Sequence, residues 1–371
     1  MITSMRILPA YIRNSFAVTF LLTLLMVTFV ICVMALFRLS DLLAGGGSGT
    51  LILLIFAYGM PQAFSFSIPI SLLTAALLTF GKFSANGEIT AMKACGISIW
   101  QIARPPLAIA FLMSVVCVML NTDVVPNAKL SQRIALRHLG MENPLQLLEE
   151  GRFIRDFPGY TFYLGAKHRN AFTDVIIYQY GEDGKVRNLR ARRGIIGASA
   201  DKTQLKIDLY DVRVDPISNE IQGPGFFDHY PMTLDVSTLL HESKRSKRRS
   251  DMVLSELVDA ANDPHATYPE VTPDKVAEQS SLFLVEINKR LVLAISCLSF
   301  VLLGIPLGTT THRRESSIGI AISLLLVFIF YLFTIVGESM ASHAAIFPWL
   351  IPWIPVVASL AIGIMLFRRR N

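Results

Sequence analysis

The chain has 371 residues, of which 52% are hydrophobic and only 17% charged. An ordinary soluble domain carries roughly 25% charged residues, so the composition disfavours a soluble protein. The formal net charge of +6 would by itself allow binding to nucleic acid or to anionic lipid.

Six long blocks with almost no charged residues follow one another along the chain, each long enough for a membrane-spanning helix. The first block is longer than the apolar core of a signal peptide, so we expect it to be retained. The second contains Pro61 and Pro69, which predict a kinked or strongly tilted helix. The blocks are residues 16–37, 50–80, about 97–120, 291–311, 316–337 and 344–367.

Basic side chains are concentrated in the connections on one side of these blocks. Only Arg38 lies in the short loops of the other side. The positive-inside rule therefore places both termini in the cytoplasm, and this topology accounts for the net charge without nucleic acid. The cytoplasmic basic residues are Arg6, Arg13, Lys82, Lys93, Arg104, Arg313, Arg314, Arg368, Arg369 and Arg370.

A polar insert, residues 121–285, separates the third block from the fourth and lies outside in this topology. It begins with a polar helical stretch over 125–148 and ends with a short helical segment near 255–257 and a linker. Between them, alternating polar and apolar residues predict short strands of an antiparallel sandwich or open barrel. The strands are expected at 160–164, 175–180, 194–198, 204–214 and 226–236. A basic run at 244–249 is interpreted as a solvated linker or, alternatively, as a contact with lipid head groups.

The motifs of enzymes and cofactor sites are missing from the sequence. The glycine run at 45–49 lacks the lysine of a phosphate-binding loop. The seven histidines show no metal-binding spacing, and the four cysteines, none of them in the insert, imply no disulfide framework. We therefore predict no catalytic residue, no cofactor and no metal, and any use of ATP would require another subunit.

Charged side chains are also absent from the middle of each block, where ion-coupled carriers usually keep them. This pattern favours a passage for an apolar molecule. At the outer edges lie Arg38, Lys289 and Arg290, with Glu286 and Glu338. These residues either anchor the helices at the interface or bind lipid phosphates through the cations.

The connection between the second and third blocks, residues 84–98, predicts a short helix. Ser84 or Asn86 can cap it, Glu88 suits its first turn, and Gly96 ends it.

One face of this helix is apolar, because Ile89 and Met92 are three positions apart. A short amphipathic helix with a leading acid suits a groove in a partner protein. A helix lying flat on the lipid surface remains the alternative.

Residues 87–98 resemble a stretch of the lipopolysaccharide-export permease family, LptF/LptG (YjgP/YjgQ), in which a glutamate leads a hydrophobic pattern ending in glycine and serine. Further similarities follow in the family's order at 150–153, 252–257, 286–291 and 304–308. The resemblance covers almost the whole chain.

The resemblance implies a heterodimer with a paralogous permease subunit on a cytoplasmic ATPase homodimer, with lipopolysaccharide passing to periplasmic bridge proteins. It implies a coupling helix at about 86–98 that meets the ATPase, and a jellyroll at about 151–238 followed by a linker at 239–285. The coupling residues would be Glu88, Ile89, Met92 and Gly96, and the lipid-binding residues Arg38, Lys289 and Arg290.

We therefore expect a polytopic α-helical inner-membrane protein with six membrane helices, three on each side of an inserted all-β, jellyroll-like periplasmic domain. The expected domains are 1–120, 121–285 and 286–371. The expected function is that of a non-enzymatic permease subunit of an ATP-driven lipopolysaccharide exporter. The alternative is a membrane-anchored assembly or scaffold protein whose β domain binds another envelope protein.

Overall fold

The computed structural model describes residues 7–44, 49–142, 151, 153–154, 159–168, 171–180, 186–198, 204–216, 225–235, 247–264, 276–310 and 316–370. The chain forms two compact units. The first, the helical unit, comprises Met1–Leu36, Tyr58–Leu130 and Arg248–Asn371, and the second comprises Phe37–Ala57 and Ser131–Lys247.

Helices dominate the described chain, and six of its spans are long and apolar enough to cross a membrane. A π-helical turn, Leu120–Val124, separates α4 from α5. The helices are α1 (Ile7–Ala44), α2 (Gly49–Ala85), α3 (Glu88–Ala94), α4 (Ile99–Met119), α5 (Val125–Glu142), α6 (Leu254–Asn262), α7 (Val276–Thr310), α8 (Ser316–Ser339) and α9 (Trp353–Arg370).

Helices α2 and α7 form the buried centre of the helical unit, since 78% of the most apolar window of each is buried, against 11% for α1. Two glycines four positions apart on α7 allow the close approach. A Cβ on Gly304 would lie 2.8 Å from the Ala76 Cβ, and one on Gly308 would lie 3.0 Å from the Leu77 carbonyl oxygen. Small residues at this spacing bring membrane helices into backbone contact.

The second unit contains helix ends and a β-sheet. Leu39, Ile52, Ile55 and Ala135 form a small buried cluster, and the Gln132 side chain donates a hydrogen bond of 3.1 Å to the Ile55 carbonyl.

Seven strands of the described chain form one antiparallel sheet in the order β1-β2-β4-β5-β6-β7, with β3 also paired to β4. They are β1 (Phe153–Ile154), β2 (Tyr160–Leu164), β3 (Lys167–His168), β4 (Ala171–Tyr180), β5 (Val186–Ala198), β6 (Gln204–Pro216) and β7 (Gly225–Asp235). All five predicted strands are present, and β4 and β5 begin earlier than expected. The six apolar helices and the inserted antiparallel β domain confirm the predicted fold class.

Two strands reverse their pleat at an aspartate. Asp174 and Asp211 have φ angles of 52° and 53°, a conformation that aspartate tolerates better than most residues. As a result Phe172 and Val175, three positions apart, are both buried in the core of the sheet. The same shift occurs around Asp211, where Leu209 and Val212 are both buried, so β4 and β6 keep one face apolar on both sides of the reversal.

Candidate functional site

Helix α3 begins without a side-chain cap. Its N-cap is Gly87, with φ 72° and no capping hydrogen bond, so the predicted cap at Ser84 or Asn86 is wrong. The Ser84 hydroxyl instead donates to the Thr309 carbonyl at 3.1 Å, and the Asn86 amide donates to the Glu88 carboxylate at 3.1 Å. The left-handed conformation explains the difference, because a residue with β-region angles is needed to aim a side chain at the first turn.

The other end of α3 is closed by Gly96, as predicted. Its φ is 79°, and its amide donates to the Lys93 carbonyl at 2.9 Å. The next amide, of Ile97, donates to the Met92 carbonyl at 3.1 Å. These two bonds form a Schellman motif, which satisfies carbonyls of the last helical turn.

The apolar face of α3 packs on the chain's own helices. Ile89 and Met92 are buried and belong to the same hydrophobic cluster as Ile12, Phe83 and Ile102. This differs from the expected use of the face in a partner's groove, because sequence spacing does not tell which body covers an apolar face. The surface that α3 leaves open carries Glu88 and exposed polar residues.

Both oxygens of the Glu88 carboxylate accept hydrogen bonds from neutral donors. The Tyr11 hydroxyl donates to Oε2 at 3.1 Å, and the Asn86 amide donates to Oε1 at 3.1 Å. Glu88 forms no ion pair with any residue that the structure describes. Its negative charge is therefore oriented but not compensated.

A second site in the helical unit is a cavity of about 320 Å³ that is lined by residues of α2, α5, α7 and α8, of the π turn, and by Ser250. The π turn contributes Asn121, whose side chain accepts a hydrogen bond from Ser65 at 2.7 Å and donates to the Cys117 carbonyl at 2.8 Å. Turns of this kind often mark functional positions. The charged residues that line the cavity are Lys129, Glu286, Lys289, Arg290 and Glu338.

Most of these charges compensate one another. The Lys289 ammonium lies 2.7 Å from the Glu286 carboxylate and also pairs with Glu338 of α8. The second oxygen of Glu286 accepts from the Arg290 Nε at 3.1 Å. The two predicted cations of α7 therefore already have carboxylate partners within the chain.

Arg290 also binds the backbone of the segment that precedes α6. Its guanidinium donates to the carbonyls of Met252 at 2.8 Å, Arg249 at 3.2 Å and Ser250 at 3.3 Å. The side chain is buried, with the whole residue 5% exposed. Arg290 thus fastens this turn, which includes the end of the basic run at 244–249, to α7.

Lys129 is a cavity residue that sequence reasoning missed. Among the described residues its ammonium forms no hydrogen bond and no ion pair, although it lines the same cavity as Glu286. The sequence feature that could have identified it is the spacing of four between Asn121, Val125 and Lys129, which places all three on one helix face. The cavity therefore combines two cations in direct ion pairs with one, Lys129, that interacts with Glu286 and Asp251 only at longer range.

Arg38, the predicted cation at the end of the first span, belongs to α1, but its side chain lies outside the described residues.

Comparison with known proteins extends the resemblance to the whole chain. A sequence model of the family "Lipopolysaccharide export system permease LptF/LptG" matches residues 10–369. The chain belongs to this family. Among curated relatives, the permease protein LptF of Escherichia coli K12 is 21% identical over 356 residues, which cover 96% of this chain and 91% of that protein. LptF of Shigella flexneri gives the same figures. The chain is thus a multi-pass inner-membrane transport permease, and the predicted family is confirmed.

Proposed function

We propose that the permease extracts lipopolysaccharide from the inner membrane and passes it to periplasmic bridge proteins, with ATP hydrolysis in a separate subunit as the energy source. Each methylene group removed from the bilayer costs about 0.8 kcal/mol, and a glycolipid with several acyl chains buries dozens of them. Extraction therefore requires an energy input that this chain, which has no phosphate-loop motif, does not provide itself.

The observation that carries the proposal is the arrangement of α3. Its apolar residues Ile89 and Met92 are fixed in the core of the helical unit, while Glu88 presents a charge that no described residue compensates. A cation of an ATPase subunit can pair with Glu88, and the packed core can transmit the movement to the spans. Ile89, Met92 and Gly96 would then act by holding α3 in place.

The topology of the proposal follows from the positive-inside rule. Both termini and α3 lie in the cytoplasm, and the β-sheet lies in the periplasm. The membrane part comprises residues 1–120 and 286–371, and the periplasmic domain 121–285. A paralogous permease completes a heterodimer on an ATPase homodimer.

The charged residues of the cavity support a role in binding lipid phosphate. Lys129 provides a cation that forms no ion pair with a described residue, and Lys289 and Arg290 can contribute where a phosphate displaces a carboxylate partner. Arg38 remains a candidate from its position at the end of the first span. Phosphate recognition here would hold the head group while the acyl chains leave the bilayer.

The experiment compares the wild-type permease with Glu88→Ala, both purified from the native host in detergent. Mass spectrometry identifies the bound subunits and bound lipid. We expect the wild type to carry an ATPase subunit and lipopolysaccharide, and Glu88→Ala to lose most of the ATPase or to export at least about tenfold less, as for a lost charge-assisted contact at a docking site.

Glu278→Ala is the matched control, because this glutamate occupies the first turn of α7 and has no proposed role. Normal ATPase binding and normal export by Glu88→Ala would contradict the proposal. Recovery of an envelope protein without any nucleotide-binding subunit would favour the scaffold alternative.

A further inference from the structure

Tyr11 lies at the start of α1 and reaches α3 across the end of α2. Its neighbour Ile12 is buried in the core, whereas Tyr11 itself is 47% exposed. The Tyr11 ring stacks on Phe83, with centroids 5.6 Å apart and an interplanar angle of 28°. Phe83 is fully buried and contacts Phe80 edge-on at 5.9 Å, so the Tyr11 ring rests on a fixed aromatic pair.

The Tyr11 hydroxyl extends beyond this stack to Glu88, 77 positions later in the chain. Since Asn86 binds the other carboxylate oxygen, each oxygen has one donor. An ionised carboxylate can accept about four hydrogen bonds, so acceptor capacity remains on both oxygens. Tyrosine and asparagine are neutral, and they restrict the rotation of the carboxylate without removing its charge.

We propose that Tyr11, together with Asn86, is a positioning residue that holds the Glu88 carboxylate ready for a cation of the ATPase subunit. This inference rests on the proposed coupling role of α3. A free glutamate side chain loses rotamer entropy when it binds, and a carboxylate that is already oriented loses less. Tyr11 also connects α1 directly to the coupling helix, so a movement of Glu88 acts on the first span as well as on α2.

The choice of residue at position 11 fits this role. A phenylalanine would keep the stack on Phe83 and lose only the hydrogen bond. Tyr11→Phe therefore separates positioning of the carboxylate from packing of the ring, and the thermal stability of the helical unit should not change measurably.

The test measures the affinity of the purified ATPase subunit for the permease complex in lipid nanodiscs, together with lipopolysaccharide-stimulated ATP hydrolysis. Tyr11→Phe should raise the dissociation constant roughly threefold, as for the loss of one exposed hydrogen bond to a charged group. Asn86→Ala, which releases the other oxygen, should have an effect of similar size. Tyr58→Phe, which makes the same change at a tyrosine of α2, is the matched control and should not alter either measurement.

A double-mutant cycle with Glu88→Ala distinguishes positioning from a general structural role. In the Glu88→Ala background, Tyr11→Phe and Asn86→Ala should cause no further loss. Two outcomes would contradict the positioning role and leave the coupling role intact. In the first, Tyr11→Phe weakens ATPase binding equally in both backgrounds. In the second, Glu88→Ala weakens binding but Tyr11→Phe has no effect. If Glu88→Ala itself has no effect, the proposed coupling fails and the inference fails with it.

Discussion

Charged side chains near two parts of α7 are paired differently. In the first half of the helix, Glu286 forms ion pairs with Lys289 and Arg290, and Arg290 also binds backbone carbonyls. Near the C-terminus, about 35 Å from Glu286 along the helix, the Thr309 carbonyl accepts a hydrogen bond from Ser84, close to the start of α3. There, among the residues that the structure describes, the Glu88 carboxylate accepts hydrogen bonds from two neutral donors.

The difference indicates which charges serve the fold and which are available to a partner. Removing one partner of a buried ion pair destabilises the fold, and a charge that is already paired inside the protein is not available to a ligand. An oriented charge without a counter-ion gains most from a partner outside the chain. By this criterion the first role of Arg290 is structural, whereas Glu88 and Lys129 are the charges that we propose to be most available to other molecules.

The largest effect is expected from Arg290→Ala. It removes three hydrogen bonds to the turn before α6 and leaves Glu286 with one cation fewer, so we expect a loss of about 3 kcal/mol in unfolding free energy. Denaturant unfolding in detergent measures it. Arg104→Ala, an exposed arginine of α4, is the control and should change stability by less than about 0.5 kcal/mol. Equal stability of the two variants would show that the α7 network is not structural.

A smaller effect is expected from Lys129→Gln, which removes the cavity cation that forms no direct ion pair with a described residue. Lipopolysaccharide affinity should fall about tenfold, which corresponds to about 1.4 kcal/mol. Lys289→Gln should weaken binding less, because the charge of Lys289 is already shared with two glutamates. Binding of labelled lipopolysaccharide to permease in nanodiscs measures both variants, with Lys82→Gln as the control. A larger loss for Lys289→Gln would show that Lys289, despite its direct ion pairs, contributes more to lipid binding than Lys129.

Elements set by local patterns were predictable from the sequence. Uncharged blocks predicted the six membrane spans, and alternating polar and apolar residues between turn residues predicted the five main strands. The start of β4 was missed because it lies beyond a pleat reversal. At Asp174 the period of two shifts by one residue, which removes the signal that identifies a strand.

Contacts between distant parts of the chain were not predictable. One partner of Arg290 is a backbone carbonyl 38 positions away, and a carbonyl leaves no trace in the sequence. Glu88 was recognised as a candidate from local signals, but Tyr11 was not, because nothing near position 11 points to position 88. The same limit applies to Ile89 and Met92. Their spacing showed that α3 has an apolar face, but not which part of the protein packs against it.

The smallest expected effect concerns the end of α3, where backbone geometry acts instead of charge. Gly96→Ala places a Cβ at φ 79° and should cost about 1 kcal/mol, whereas Gly96→Asn should cost less because asparagine tolerates this conformation. Since the Ile97 amide is bonded to the Met92 carbonyl, its hydrogen exchange should accelerate roughly fivefold in Gly96→Ala, by local opening. Gly197→Ala, where a Cβ meets nothing within 4 Å, serves as the control. Unchanged exchange at Ile97 in Gly96→Ala would mean that the packing of Met92, and not the glycine turn, holds this end of the helix.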